Sequence, residues 1–114
     1  MLIMVISPIP KHLLPHTIQY KAYEGSSGWD GNHAPPLKIE HVRVTPVSKL
    51  KRTSNSEGEE VNHVVLVDRV NSSAFPNFKI RSEIEFNGVN REVVDVKPHY
   101  AFGNEPHHYE LELR

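Results

Sequence analysis

Polar and apolar residues alternate most cleanly near the end of this chain. Ile84 and Phe86 alternate with Glu83 and Glu85, and Tyr109, Leu111 and Leu113 alternate with Glu110, Glu112 and Arg114. A period of two places the apolar set on one face and the charged set on the other, which predicts half-buried β-strands. Between the first run and residues 91–96 lies Asn87-Gly88. Both residues tolerate positive φ, so the pair predicts a two-residue hairpin turn. That turn pairs Phe86 with Val89 and Ile84 with Arg91, which leaves Val94 and Val96 on the opposite face. One extra residue, in the loop or as a bulge near Glu92, returns Val94 and Val96 to the core. The last strand reaches the final residue, so that end is expected to be tied into a sheet.

The same reading applies upstream. In residues 16–23, Ile18 and Tyr20 alternate with Thr17, Gln19 and Lys21. In residues 37–47, Leu37 and Ile39 share one parity and Val42 and Val44 the other, which predicts a second bulge at Glu40-His41. In residues 61–70, Val64-Val65-Leu66-Val67 runs without alternation, so both faces are expected to be covered. Pro8, Pro10 and Pro15 limit the segment around Lys11-His12-Leu13-Leu14 to one helical turn at most. Residues 25–32 and 71–79 are rich in turn formers, and residues 48–60 read as a polar loop too long for a tight hairpin. No segment supports a helix of three turns. About six strands in a single domain of 114 residues must close or nearly close. The expected fold is all-β: a small antiparallel β-barrel of about six strands with long loops and at most one short helical turn. Residues 1–8 form an apolar arm and residues 9–114 the barrel domain.

Composition narrows the function. A net charge of −1 does not favour a polyanion partner. The absence of cysteine excludes disulfides, thiolate zinc sites and cysteine nucleophiles, and fits a reducing compartment. Leu2-Ile3-Met4-Val5-Ile6 is too short to span a bilayer and lacks the basic region of a signal peptide, so no membrane partner is expected. Met4 is an alternative start. His99, His107 and His108 flank one loop with Glu105, but adjacent strand residues point to opposite faces, so His107 and His108 are not expected to chelate together. His-Glu-x-x-His, Gly-x-Ser-x-Gly and phosphate-loop patterns are missing, and Ser72-Ser73 sits in a plain turn. The reading names no catalytic residue, no metal ligand and no cofactor. It favours a structural or interaction protein over an enzyme. A barrel-type binding module, or an enzyme with an unrecognised small-molecule pocket, is the alternative.

Two surfaces are candidates for partners. Residues 48–60 divide into a basic half with Lys49, Lys51 and Arg52, a flexible tip with Thr53, Ser54, Asn55, Ser56 and Gly58, and an acidic set of Glu57, Glu59 and Glu60. The basic half suits an acidic neighbour or DNA phosphate, and the acidic set would repel DNA. The second candidate is a subunit interface made by Glu83, Glu85, Arg91 and Glu92 on barrel outer faces, with Trp29 as a further contact if it is not a lid on the core.

Several short motifs carry a resemblance. Pro10-Lys11-His12-Leu13-Leu14-Pro15-His16-Thr17-Ile18-Gln19-Tyr20, the Gly28-Trp29 turn and Val42-Arg43-Val44-Thr45-Pro46 resemble the start of the minor capsid protein family of tailed phages and prophages. Ile84-Glu85-Phe86-Asn87-Gly88 with Val93-Val94-Asp95-Val96, and the ending His107-His108-Tyr109-Glu110-Leu111-Glu112-Leu113, resemble the same family's later strands. These proteins resemble head-completion, or stopper, proteins. The resemblance implies a small barrel that joins a homo-oligomeric ring at the head–tail junction of the virion. There it would lie beneath portal and adaptor, close the DNA channel and dock tail-completion proteins. It also implies that the loop at residues 48–60 narrows or plugs that channel.

Overall fold

The structure, a computed structural model, describes residues 7–27, 30–52, 58–101 and 103–114, with the backbone alone for 26, 27, 30, 31, 49–52, 58 and 59. A single 3-10 turn spans Lys11–Leu13, between Pro10 and Pro15 as the prolines demand. Strands follow: β1 His16–Lys21, β2 Tyr23–Ser27, β3 Asp30–His33, β4 Leu37–Arg52, β5 Gly58–Asp68, β6 Glu83–Phe86, β7 Val89–Tyr100 and β8 Pro106–Leu113. Six of them close into an antiparallel barrel in the order β1-β4-β5-β8-β7-β6, with β6 returning to β1. The fold is therefore the small closed barrel that the alternation predicts. Strands β2 and β3 form a separate two-stranded sheet within the stretch read as a turn-rich loop. No helix among the described residues is long and apolar enough to cross a membrane.

The alternating apolar residues fill the barrel. Ile18 and Tyr20 of β1, Ile39, Val42 and Val44 of β4, Val65 and Val67 of β5, Ile84 of β6, Val93 of β7 and Leu111 and Leu113 of β8 pack as one cluster. Each fully buried aliphatic side chain contributes about 1.5–3 kcal/mol. The turn-rich stretch after β5 adds a cap over the end of the barrel where Tyr20 and Tyr109 lie. Phe78 meets Tyr20 edge-on at 4.9 Å between ring centroids, and Phe75 stacks on Tyr109 at 4.8 Å. Offset and edge-on contacts of this kind suit the aromatic quadrupole.

Bulges set the registers. Asn87 and Gly88 have φ of 52° and 79°, and the turn pairs Phe86 with Val89 and Ile84 with Arg91, as expected. The extra residue in β7 is not near Glu92. Val93 faces Leu113 and Asp95 faces Glu112, so Val94 is the bulged residue. The expected pair Val94 and Val96 is thereby corrected: Val93 is in the core, Val96 packs against it, and Val94 is only partly buried. The bulge at Glu40-His41 is present. His16 pairs with Val42 and Thr17 with Glu40, which leaves His41 unpaired at φ 59°.

Ser72 and Ser73 are more than a plain turn. The backbone N–H of Asp68 donates to Ser72 Oγ at 2.9 Å, and that hydroxyl donates to the carbonyl of His41. Glu40 N–H donates to Ser73 Oγ at 2.8 Å, and Ser73 N–H donates to the Glu40 carbonyl at 3.0 Å. The two serines thus occupy the backbone groups that the bulge removes from the ladder. At the C-terminus, Arg114 N–H donates to the Glu92 carbonyl at 2.9 Å, which ties the last strand to β7.

Candidate partner-binding surface

The largest departure from the expected fold lies in residues 48–60. The ladder between β4 and β5 continues through the stretch read as loop: Lys49 faces Val61, Leu50 faces Glu60, Lys51 faces Glu59 and Arg52 faces Gly58. The division into a basic half and an acidic half is compatible with this pairing, since it sets Lys51 opposite Glu59 and puts no two like charges directly across from each other. The tip, with Thr53, Ser54, Asn55, Ser56 and Glu57, lies outside the described residues, as does Trp29.

This ribbon has no third strand among the described residues. Strand β1 pairs with β4 only as far as Val42, and β8 pairs with β5 only from His63 onward. Residues 49–52 and 58–61 therefore pair only with each other among the described residues, and each strand keeps one free edge there. A two-stranded ribbon is marginal alone, and a free strand edge offers N–H and C=O groups to another chain.

The second candidate surface needs correction. Glu83 faces Glu92 across β6 and β7, and Glu85 faces Asn90, so these residues share the outer face. Arg91 faces Ile84, which is fully buried, so Arg91 belongs to the core-side face at the rim. Its charge acts on His63 there. Burial first, and then Arg91, hold the His63 imidazole below its usual pKa. Two of the outer carboxylates already have cations: Glu85 lies 3.7 Å from Lys21 Nζ, and Glu92 accepts from the Arg114 guanidinium. Exposed pairs of this kind contribute little, so a neighbouring chain can exchange them at small cost.

Glu112 escapes the rule that outer-face carboxylates are solvated. It is 0% exposed, between Val64 of β5 and Asp95 of β7, with Lys97 Nζ at 3.4 Å. Asp68 is also buried, and it anchors the N-terminal segment. Its Oδ1 accepts from Ile9 N–H at 3.0 Å, and its Oδ2 accepts from the N–H groups of Val70 and Asn71 at 2.9 and 2.8 Å. Neither role has a signal in the sequence, since both residues follow the polar parity of their strands.

The histidines depart from expectation as well. The rings of His107 and His108 meet, with their Nδ1 atoms 3.0 Å apart. The cause is a third bulge: His99 faces His108 and Tyr100 faces Pro106, so His107 is the extra residue and strict alternation fails. His108 also stacks on His99 at 4.7 Å, and His99 Nε2 lies 3.2 Å from Glu110 Oε2. Burial, then the charges of His99 and His107, hold His108 below its usual pKa against the opposite pull of Asp68 and Glu110. No group of three or more histidine, aspartate or glutamate side chains is arranged to hold a metal ion among the described residues.

The fold and its surfaces define a small closed barrel that bears a two-stranded arm. Comparison with known proteins gives it a family. A family model described as Minor capsid protein matches residues 10–113, and the chain belongs to that family. Membership of a capsid protein family implies association with the virion and supports a structural role there. No curated protein and no solved structure matched the chain.

Proposed function

We propose that this protein is a head-completion protein: a subunit of a ring under the portal that helps close the DNA channel and docks the tail. Membership of the minor capsid protein family supports a structural role in the virion. The observation that carries the finer reading is the arm, where Lys49 to Arg52 pair with Gly58 to Val61 beyond the reach of β1 and β8. A closed barrel hides its own edges, so the free edges of this arm stand out as places for a neighbouring chain. A ring requires a heterologous contact that closes on itself, and an arm reaching from one subunit to the next supplies one. The outer-face carboxylates Glu83, Glu85 and Glu92 provide charge for the adjoining contact.

The test is to replace residues 49–60 by a two-residue turn that leaves the barrel intact. Heads assembled with this variant should package DNA, then leak it and fail to join tails. Electron microscopy of purified heads should show a ring at the portal vertex with the native protein and none with the variant. Heads that keep their DNA and accept tails would show that the arm is only a connection. Deletion of the whole gene separates the broader claim: normal virions without the protein would remove the head-completion role itself.

A further inference from the structure

The histidines hold a segment of chain whose purpose the barrel does not explain. Residues 7–9 lie against the ends of β5 and β8 through three anchors. His107 Nε2 lies 2.8 Å from the Ser7 carbonyl, Ile9 N–H donates to Asp68 Oδ1 at 3.0 Å, and Asn71 Nδ2 donates to the Ile9 carbonyl at 2.7 Å. A carbonyl only accepts, so His107 Nε2 carries a proton. A neutral His107 then has a bare Nδ1, and the contact with His108 requires that His108 Nδ1 donate across the 3.0 Å gap.

Protonation of this pair has a limit. One added proton is accommodated. It sits on His107, with His108 changing tautomer, or on His108 Nε2, and in both cases a single proton lies between the two Nδ1 atoms. A second added proton puts N–H on both Nδ1 atoms, so two donors and two cations face each other at 3.0 Å. The surroundings offset that charge only in part: Asp68 and Glu110 oppose it, and His99 and Lys97 add to it. On β7, His99 stacks on His108 at 4.7 Å, and Lys97 lies on the same face beside Glu112. On β8, Glu110 is engaged with His99. From β5, the Asp68 carboxylate already accepts three backbone N–H groups, and the neighbouring Arg69 and Glu105 are paired to each other.

We propose that His107 and His108 form a proton-limited latch on the N-terminal segment, closed with none or one added proton and opened by the second, which turns His107 away from Ser7. The bulge that brings both rings to one side of β8 is the device that makes the latch possible.

The experiment uses the full chain with isotope-labelled histidine. At about pH 8, nitrogen chemical shifts should show a proton on Nε2 of His107 and on Nδ1 of His108. On acidification the pair should take up its two protons in separate steps, and the amide protection of Ile9 should fall only with the second, by roughly fivefold for one lost hydrogen bond. His108→Asn places an amide donor where Nδ1 was and does not titrate, so Ile9 protection should stay level from about pH 8 to about pH 5. His108→Ala removes the donor, so protection should be low at every pH. Two histidines that titrate independently near the ordinary value, or the same acid step in His108→Asn as in the native chain, would overturn the latch.

Discussion

Replacing Asp68 with alanine tests whether one buried carboxylate organises the region where β5, the capping loop and the N-terminal segment meet. The side chain accepts from Ile9, Val70 and Asn71, all within 3.0 Å, and Asp68 is 0% exposed. A hydrogen bond to a charged group contributes about 1.5–3 kcal/mol, and a buried donor left without an acceptor loses its solvation as well. Three such bonds on one group are not additive, and removal of the carboxylate relieves its own desolvation. The expected net loss is about 3 kcal/mol, a large share of the roughly 5–15 kcal/mol of a small domain. With a urea m-value of about 1.5 kcal/mol/M, the unfolding midpoint should fall by about 2 M. Asp68→Asn separates the anchors. Its single oxygen can keep Val70 and Asn71, but its amide then meets Ile9 N–H donor to donor. That variant should lose about 1–2 kcal/mol, with exchange accelerated at Ile9 and little changed at Val70. A midpoint within about 0.5 M of the native value for Asp68→Ala, at unchanged m, would refute the reasoning.

Further outcomes follow from the same contacts. Tyr20→Phe should destabilise by about 1–3 kcal/mol in urea unfolding, because Lys79 N–H donates to the Tyr20 hydroxyl at 3.0 Å and that hydroxyl reaches Ser82 Oγ at 3.1 Å. Leu111→Ala, at 0% exposure in the barrel core, should cost about 2–5 kcal/mol by the same assay. Ser72→Ala should cost about 1–3 kcal/mol and accelerate amide exchange at Asp68, since it removes the acceptor that spans the His41 bulge. Stability should fall as the pH drops below about 6.5: His63 and His108 are held below that unfolded-state value, so the unfolded chain binds more protons in that range. Urea midpoints compared at about pH 8 and about pH 5.5 check the sign, and a higher midpoint at the acid end would contradict it.

Most of the barrel was legible because its strands are half-buried, and burial on one face writes a period of two into the residues. Ile84, Phe86, Leu111 and Leu113 announce their faces in this way, and Asn87-Gly88 announces its turn. The bulge at His41 was legible too, because two apolar runs of opposite parity flank it. The bulge at Val94 was harder to place. Val93, Val94 and Val96 are alike in kind, so the residues demand one extra position but do not say which valine occupies it. Hydrophobic pattern specifies a face, and it specifies a residue only where polar neighbours differ from the apolar set.

The surfaces were less legible for a related reason. The arm formed by residues 49–52 and 58–61 carries no apolar alternation, although Val61 at its base is buried. Its signal is the complementarity between a basic run and an acidic run several residues later, a pattern that also describes a solvated loop. The bulge at His107 lies in Pro106-His107-His108, where no apolar residue marks either side of the strand. Alternation there predicts that the two rings point apart, and one unpaired residue brings them together. Where no run of apolar residues marks a face, the pattern does not place the strand, and the arm and the histidine pair share that circumstance. A face that is not held by burial is free to meet a neighbouring chain or to change with protonation. In this barrel the two features that the sequence pattern hides are the ones on which the proposed contact and the proposed latch rest.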